Sequence, residues 1–263
     1  MIVSNKVRFT APGWQGSGPR AGEAYLSRMK ITTWNCARGF AKKAPHIFLD
    51  RPDIAVIQEC SEKSTKTLPF DGYKAEWAGV NPRIGMGVFY NKDWGVRRLD
   101  VPATGIEWVV PYEVTGPENF TLIAVWACEV KGNQCKSYVG QIGRALHEHP
   151  EWFTKVPVVM MGDFNSNARF DKERRHWNHS NMVEELRNHG LESAYHSIEK
   201  KEHGKDETPT FHLQKNSAKP FHLDYIFAPQ VWQSRMSITV GSYTTWKPYS
   251  DHCPVTLQVS ANA

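Results

Sequence analysis

The stretch VVMMGDFNSNARF, from Val158 to Phe170, decides what kind of fold this chain can form. Its apolar start stops at Gly162, and Asp163, Asn165 and further polar residues follow directly. An apolar run of this length indicates a strand that is buried on both faces of a sheet. The polar residues after it form either an ordinary turn or an edge at which the strand delivers side chains to a substrate.

Apolar runs of strand length recur along the chain between turn signals. They are residues 29–35, 53–59, 85–91, 120–127, 156–163, 221–229 and 252–260. Residues 136–149 and 180–190 instead have apolar residues at helical spacing, with Ser137 and Ser180 as the expected N-terminal caps and Gly190 closing the second helix. Strands mixed with helices over this length predict one α/β or α+β domain with a large covered sheet.

Polar residues fall at or near one end of five of these runs. They are Asn35, Glu59, Asp163, Asn165, Asp224, Asp251 and His252. Each one taken alone is typical of a turn, a cap or a solvated loop. Asp224 is the strongest signal, because a carboxylate within an apolar strand costs several kcal/mol unless it is paired. A histidine is a natural partner for it.

The residue types of this set favour one chemistry. Carboxylate and amide oxygens are hard ligands that suit Mg²⁺ or Mn²⁺, whereas zinc prefers cysteine and histidine. A hard cation beside a carboxylate base and an imidazole is equipped to hydrolyse a phosphate ester. The sequence therefore predicts a metal-dependent phosphoric ester hydrolase.

The order of these residues resembles the endonuclease/exonuclease/phosphatase (DNase I-like) superfamily. The resemblance rests on Asn35, Glu59, the GDxN of residues 162–165, Asp224 and the SDH of residues 250–252. It spans residues 29–260, nearly all of the expected domain of residues 29–263. It implies a four-layer α/β sandwich, in which two facing mixed β-sheets are flanked by helices and the site lies at one rim.

The resemblance also implies a role for each matching residue. Glu59 would be the main metal ligand, with Asn35 and Asp251 near the metal or its waters. The metal would be Mg²⁺ or Mn²⁺.

The catalytic set implied by the resemblance consists of Asp163, Asn165, His252, Asp224 and Asn35. Asp163, helped by Asn165, would activate the attacking water. His252, held by Asp224, would contact the scissile phosphate.

Two positions depart from the family pattern. Many members have histidine or tyrosine where this chain has Trp126, which donates an N–H but does not transfer a proton at neutral pH. Protonation of the leaving group would then depend on water, the metal or another residue. Apurinic-site endonucleases have an acid where this chain has Ala37, so that branch is not a close template.

The expected substrate contacts lie in three places. Trp126 ends one strand, and Tyr138 and Gln141 open the helix that follows it. The basic stretch 169–179 supplies cations and one indole ring, and its candidate contacts are Arg169, Arg174, Arg175 and Trp177. Such a stretch can hold a nucleic-acid backbone by charge and a base by stacking, or it is a solvated loop. His222, two residues before Asp224, either supports the site or has a structural role.

The composition of the chain narrows the kind of partner and the cellular compartment that it suits. The net charge is +5, which suits a polyanionic partner or simply keeps the protein dissolved. Five cysteines without a CxxC motif indicate free thiols and a reducing cytoplasm. No run approaches the ~20 apolar residues that cross a bilayer. Residues 1–28 are rich in Gly and Pro, which predicts a flexible leader.

Three functions remain open at this point. The leading hypothesis is a metal-dependent nuclease acting on DNA or RNA, with nucleic acid as the partner, no membrane insertion and no obligate protein partner. The alternative is a phosphatase or phosphodiesterase acting on a small or lipid-linked phosphate ester. The third is a phosphate-binding module without activity, which is disfavoured because so much of the catalytic set is present.

Overall fold

The computed structural model describes residues 28–67, 72–100, 106–133, 136–154 and 157–261. Residues 1–27 of the predicted leader lie outside these ranges. Arg28, the last residue assigned to that leader, instead begins the first strand.

Strands and helices are mixed along the whole described chain. The strands are β1 (Arg28–Asn35), β2 (Ile54–Cys60), β3 (Tyr73–Asn81), β4 (Ile84–Asn91), β5 (Gly95–Arg98), β6 (Val109–Thr115), β7 (Phe120–Trp126), β8 (Val158–Asp163), β9 (Leu191–Ser193), β10 (Phe211–His212), β11 (Pro220–Phe221), β12 (Asp224–Pro229), β13 (Met236–Val240) and β14 (Val255–Ser260). The α-helices are α1 (Phe40–Phe48), α2 (Glu62–Lys66), α3 (Val139–Glu148), α4 (His179–Asn188), α5 (Ala194–Glu199) and α6 (Tyr243–Trp246).

Two six-stranded sheets form the body of the protein. The first has the strand order β13-β14-β1-β2-β4-β3 and the second β5-β6-β7-β8-β12-β9. The pairs β1–β2 and β7–β8 are parallel, whereas their other neighbours in the two sheets run antiparallel. Both sheets are therefore mixed, and β10 and β11 form a separate short ribbon.

The main core lies between the two sheets. Successive strand residues point to opposite faces, and β7 shows this directly. Leu122 and Ala124 pack in the core between the sheets, whereas Ile123 and Val125 pack in a second cluster on the outer face. Both faces of β7 are thus covered, which explains why its sequence is apolar without interruption.

Helices cover the outer face of each sheet. Ile142 of α3 and Met182 of α4 pack on the second sheet, and Phe40 and Phe48 of α1 pack on the first. The order of layers is helix, sheet, sheet and helix. The expected four-layer α/β sandwich is confirmed.

The predicted strands agree with observed strands, but several boundaries and caps differ. The run 221–229 is interrupted after Phe221, so that Asp224 is the first residue of β12. Ser137 does not cap α3, because its hydroxyl accepts a hydrogen bond from Val130 N at 2.8 Å. Ser180 does not cap α4, because the helix begins at His179. The backbone N atoms of His179 and Ser180 instead donate hydrogen bonds to the Asp171 carboxylate.

Gly162 is required by the close contact between β7 and β8. Its φ is 152°, and a Cβ atom there would lie 1.8 Å from the carbonyl oxygen of Val125. A side chain at this position would push β8 away from β7. The glycine therefore fixes the strand end that carries Asp163.

None of the helices among the described residues is long and apolar enough to cross a membrane. Cys36, Cys60, Cys128 and Cys253 are free thiols, and Cys135 lies outside the described residues.

Candidate active site

Four strand ends meet at one edge of the sandwich. Asn35 ends β1, and Glu59 lies next to the end of its parallel neighbour β2. In the facing sheet Asp163 ends β8 and pairs in register with Asp224, the first residue of β12. His252 lies just before β14. We call this group of five residues the acidic rim.

Asp163 is fully buried and accepts three hydrogen bonds. Asn35 Nδ2 donates to its Oδ2 atom at 3.0 Å, and Asn165 donates through its backbone N to Oδ1 at 2.9 Å and through Nδ2 to Oδ2 at 3.0 Å. Asn165 reaches back in this way because its φ is 46°, in the left-handed region that asparagine tolerates. The carboxylate is thus held in one orientation.

Asn35 joins Asp163 to Glu59. Its Nδ2 also donates to Glu59 Oε1 at 3.2 Å, and its Oδ1 accepts from Ala37 N at 3.0 Å. Glu59 lies at a β-bulge of β2 with φ of 57°, and its side chain is 26% exposed. A bulge redirects a side chain, and here it turns the carboxylate out of the strand pair towards the edge.

His252 and Asp224 form the second buried pair. His252 Nδ1 lies 2.9 Å from Asp224 Oδ2, and His252 Nε2 lies 4.0 Å from Asp163 Oδ2. Thr210 Oγ1 accepts hydrogen bonds from the backbone N atoms of Leu223 and Asp224 at 2.9 and 3.0 Å, which fixes the start of β12. Asp224 Oδ1 is buried and has no hydrogen-bond partner among the described residues.

The electrostatics of the rim follow from its burial. Burial raises the pKa of Asp163, and the neighbouring Asp224 charge adds to the rise. Burial alone would lower the pKa of His252, but the charges of Asp224 and Asp163 outweigh it and raise that pKa above its ordinary value. The imidazole is therefore cationic at neutral pH, and its Nε2–H faces the edge that Asp163 occupies.

Ser250 has a role that the sequence analysis did not assign to it. Its hydroxyl donates to the Asn35 carbonyl oxygen at 2.8 Å and accepts from His252 N at 3.0 Å. Trp34 Nε1 donates to the His252 carbonyl oxygen at 3.1 Å. These bonds tie the end of β1 to the segment that carries the imidazole.

Lys43 is a second residue whose role at the site the sequence did not indicate. Residues 37–39 all have left-handed φ values, and Lys43 Nζ donates to the carbonyl oxygens of Cys36 and Ala37 at 2.5 and 3.2 Å. This cation holds the turn that follows Asn35. Burial lowers the pKa of Lys43, and the positive charge of Lys215 adds to the lowering. No local motif marks the lysine, because the bonds depend on the turn that it closes.

Some cations lie close to the acidic rim. Arg38 is exposed, and its Nε lies 4.0 Å from Glu59 Oε2. Lys43 is near enough to Lys215, Asp251 and Glu59 for their charges to affect its pKa. Along the chain after Asp163 come Arg169 and Arg174, whose side chains are both exposed. The negative rim therefore has at least two cations, Arg38 and Lys43, near Glu59.

The donor set at the rim fits a hard divalent cation. The Glu59 carboxylate is partly exposed beside the Asn35 amide, and Asp251 is half-buried next to His252. One ligand atom each of Asp163, Asp224 and His252 lies within 4.8 Å of the others. The unpartnered Asp224 Oδ1 is a further free acceptor. Oxygen donors of this kind suit Mg²⁺ or Mn²⁺.

The predicted substrate contacts are less uniform. Trp126 is only 8% exposed and packs in the core between the sheets, with its ring centroid 4.8 Å from that of Trp108. Gln141 is buried and its Nε2 donates to the Cys128 carbonyl oxygen at 3.1 Å. Tyr138 is exposed, and it lines a cavity together with Arg175 and Trp177.

His222 belongs to a buried histidine cluster behind the rim, which the sequence analysis did not foresee. We define the histidine cluster as His179, His196, His203, His222 and Asp206. His179 Nε2 lies 2.9 Å from His203 Nδ1, and His196 Nε2 lies 2.7 Å from Asp206 Oδ1. His222 Nδ1 donates to the Thr208 carbonyl oxygen at 2.7 Å, so its observed contacts are structural.

The rest of the cluster's contacts reach the segment that follows Asp163. His179 Nδ1 lies 3.2 Å from Ser166 Oγ, and Asn167 Nδ2 donates to Asp206 Oδ2 at 2.8 Å. The cluster therefore anchors the beginning of the basic stretch.

Among known proteins, similarity to this chain is found in solved structures and not in sequences. No protein-family model matches the chain, and no curated protein sequence matches it. Solved structures, in contrast, match over nearly the whole length.

Among the similar structures, two contain DNA and a third is an AP endonuclease. The 3′ phosphatase NExo from Neisseria, bound to a product DNA hairpin, is 20% identical with a TM-score of 0.65, covering 88% of this chain and 99% of that one. The AP endonuclease LMAP from Leishmania major is 14% identical with a TM-score of 0.64, covering 89% and 88%. TDP2 from D. rerio, complexed with a single-strand DNA product, is 17% identical with a TM-score of 0.62, covering 88% and 98%.

At these identities the likeness is one of fold. It agrees with the two mixed sheets and the layers of the sandwich. The chain has the fold of the endonuclease/exonuclease/phosphatase superfamily.

Proposed function

We propose that this protein is a divalent-metal-dependent phosphodiesterase that hydrolyses phosphodiester bonds in nucleic acid. The observation that carries the proposal is the acidic rim. It brings a buried, triply hydrogen-bonded carboxylate, Asp163, within 4.0 Å of the imidazole of His252, on the same edge as the partly exposed Glu59 carboxylate. A structural turn would not need buried charges held in this way.

Glu59, Asn35 and Asp251 are the residues that we assign to a bound Mg²⁺ or Mn²⁺. Such an ion neutralises phosphate charge and lowers the pKa of bound water. Glu59 carries most of this assignment, because its carboxylate is partly exposed whereas those of Asp163 and Asp224 are fully buried. Asn35 keeps it in place through the 3.2 Å bond from Nδ2 to Oε1.

Asp163 is the group that we assign to the attacking water. In hydrolysis a bond forms between the water oxygen and phosphorus, the bond to the leaving oxygen breaks, and the carboxylate accepts the proton that water loses. Asn165 and Asn35 orient this carboxylate through three bonds. Trp126 is buried and cannot protonate the leaving oxygen, so that proton comes from water or from another residue.

His252 is the group that we assign to the phosphate oxygens. Asp224 fixes its orientation through the 2.9 Å contact at Nδ1 and favours the charged ring, which leaves Nε2–H free to donate. A fixed donor aimed at developing negative charge stabilises a transition state without reorganisation.

The surrounding cations support nucleic acid as the substrate class. Arg38 and Lys43 lie near Glu59, and the exposed Arg169 and Arg174 come from the segment that follows Asp163. Cations of this kind can hold a polyanionic strand by its phosphates. Two of the similar structures contain DNA, which agrees with this proposal. The four free thiols favour a reducing cytoplasm as its compartment.

A substrate panel tests the proposal. The protein is incubated with end-labelled single-stranded and double-stranded DNA and RNA, with Mg²⁺, Mn²⁺ or EDTA, beside the isosteric Asp163→Asn variant. We expect metal-dependent cleavage that the variant lacks. Turnover of inositol phosphates or phospholipid headgroups, with every nucleic acid untouched, would instead establish the small-ester alternative.

A further inference from the structure

A cavity of about 370 Å³ opens beside the segment that follows β7. It lies between the segment that follows β7 and the basic stretch that precedes α4. Its walls include Glu129, Asn133, Tyr138, Arg175 and Trp177. We call it the rim pocket.

Short chain connections place the rim pocket beside Asp163. Ala127 N donates to the Asp163 carbonyl oxygen at 2.8 Å, and Glu129 of the pocket wall follows only two residues later. Two extended residues span at most ~7 Å. Cys128 lies between Ala127 and Glu129. Burial raises the pKa of Cys128, and the charges of Asp163 and Glu59 add to the rise, so this segment is close to both acids. The nearest part of the pocket wall is therefore within roughly 10 Å of the Asp163 backbone.

Tyr138 presents its aromatic ring to this pocket from a strained backbone. Its side chain is 39% exposed, and its φ of 50° and ψ of −130° are strained for any residue other than glycine. The strain is maintained by Tyr138 N, which donates to the Cys128 carbonyl oxygen at 3.0 Å, and by Ser137 Oγ, which accepts from Val130 N at 2.8 Å. Backbone strain of this kind collects at ligand-binding sites.

Arg175 supplies a donor that lacks a partner. Its Nε atom is buried and has no hydrogen-bond partner among the described residues, although the side chain as a whole is half-buried. Burial and the Glu129 carboxylate raise the pKa of Tyr138, and the Arg175 guanidinium offsets part of that shift, so the guanidinium lies near the phenol ring. A buried guanidinium donor is costly without an acceptor.

Trp177 forms a rigid wall of the pocket. A Cβ atom on Gly143 would lie 2.3 Å from the indole, so the ring is in direct contact with the backbone of α3. The rings of His147 and His176 contact its sides, with centroids 5.2 and 5.7 Å away. The indole is thus held by its neighbours before any ligand binds.

We propose that the rim pocket binds one unpaired nucleobase of the substrate strand, stacked on Tyr138 and hydrogen-bonded by Arg175. This inference rests on the proposed function, because it names the form of nucleic acid that the same site accepts. An aromatic face beside a guanidinium and the Asn133 amide matches the flat face and polar edge of a base. Bases inside a duplex are paired and stacked, so the pocket selects single strands or unpaired ends over intact duplex.

The test uses binding to the full-length Asp163→Asn protein, which separates recognition from cleavage. The probes are a fluorescent single-stranded DNA 12-mer, its blunt duplex, and a series of 12-mers with one abasic spacer at each position. Tyr138→Ala, Tyr138→Phe and Arg175→Met are combined with Asp163→Asn. Lys131→Met, on the same segment but outside the pocket wall, is the control for loss of one charge.

We expect Tyr138→Ala to weaken single-strand binding by about 5-fold to 100-fold, as for one stacked base, and Tyr138→Phe to remain within about twofold. Arg175→Met weakens it more than Lys131→Met does. In the protein that keeps Tyr138, an abasic spacer at one position of the 12-mer lowers the single-strand affinity. The same spacer has no further effect in Tyr138→Ala. Duplex binding is the same in both Tyr138 variants as in the parent protein.

Equal single-strand affinity in Tyr138→Ala, or a spacer effect that persists in it at every position, would overturn the pocket assignment. Failure of the proposed function is a separate result, since it appears as an absence of nucleic-acid cleavage by the unmodified protein. If that protein cleaves and Tyr138→Ala binds and cleaves equally well, the pocket proposal alone is wrong.

Discussion

His252 Nδ1 lies 2.9 Å from Asp224 Oδ2, and both side chains are buried at the edge where the two sheets face each other. Asp224 begins β12 opposite Asp163, and His252 precedes β14 in the other sheet. The contact therefore bridges the two halves of the sandwich. It keeps the imidazole charged, because Asp224 and Asp163 raise the pKa of His252 against the effect of burial.

Replacing Asp224 tests what this contact does. In Asp224→Asn the shape is kept and the charge is lost, so the pKa of His252 falls. The imidazole then loses its proton at a lower pH, and we expect the alkaline limb of the kcat profile to move to lower pH. kcat itself should fall by about 10²-fold to 10⁴-fold. A pH–rate profile measures both, and an unshifted alkaline limb would show that His252 is not the titrating group.

Glu59 is expected to dominate metal affinity. Glu59→Gln keeps the bulge and the contact with Asn35 but removes the charged oxygen, so Mn²⁺ should bind at least about tenfold more weakly. Isothermal titration with Mn²⁺ measures this directly. Glu62→Gln is the matched control, because Glu62 lies three residues later in a surface pair with Lys66 at 2.6 Å. Equal affinity of Glu59→Gln and the unmodified protein would contradict the ligand assignment.

Lys43 is expected to act as a positioning residue for Asn35. Lys43→Met removes two hydrogen bonds to the left-handed turn, and we expect the free energy of unfolding to fall by about 1–3 kcal/mol, with weaker Mn²⁺ binding. Lys43→Arg should restore much of both. Lys42→Met is the control, since Lys42 is the exposed neighbour on the same helix. If denaturant unfolding and Mn²⁺ binding were the same in Lys43→Met and Lys42→Met, the ammonium would not hold the turn.

The histidine cluster predicts that stability falls in acid. Burial lowers the pKa of His179 to about 4, of His203 to about 2 and of His222 to about 4. The unfolded chain takes up these protons below about pH 6.5 whereas the folded protein does not, so the stabilisation is present above that pH and is lost as pH falls. Each such histidine loses about 2 kcal/mol between pH 7 and 5. The raised pKa values of Asp163 and His252 act in the opposite direction, but they are two groups against the three histidines.

Denaturant unfolding at pH 7, 6 and 5 measures this slope. His203→Gln should reduce the loss of stability between pH 7 and 5, because one half-buried imidazole with a lowered pKa has been removed. His147→Gln replaces an exposed histidine and should leave the slope unchanged. A stability that is constant or rises towards pH 5 would contradict the interpretation of the cluster as buried and neutral.

Much of the fold follows from the sequence because the central strands are covered on both faces. β7 and β8 are apolar without a break and are predicted from that pattern. β3, β5 and β13 are partly exposed, so their mixed sequences do not distinguish them from loops. The boundary at Asp224 also differs, since the interruption after Phe221 depends on the hydrogen bonds from Leu223 and Asp224 to Thr210.

The candidate site likewise contains residues that the sequence predicts and residues that it does not. Asn35, Glu59, Asp163 and His252 come to one edge because polar residues at strand ends meet when the strands pair. Other contributors act through contacts that no local pattern reports. Ser250 bonds to Asn35 across most of the chain, and Lys43 closes a turn whose left-handed residues are Ala37, Arg38 and Gly39. Trp126 ends a strand as expected but turns into the core.

The central claim is that Asp163 drives metal-dependent hydrolysis of a nucleic-acid phosphodiester bond. The most direct measurement is the single-turnover cleavage rate of a 5′-labelled single-stranded DNA or RNA oligonucleotide in Mg²⁺ or Mn²⁺, for the unmodified protein and for Asp163→Asn. We predict cleavage that EDTA abolishes and that Asp163→Asn slows by about 10²-fold to 10⁴-fold. Equal cleavage rates for the two proteins, or no cleavage of any oligonucleotide by the unmodified protein, would contradict the account.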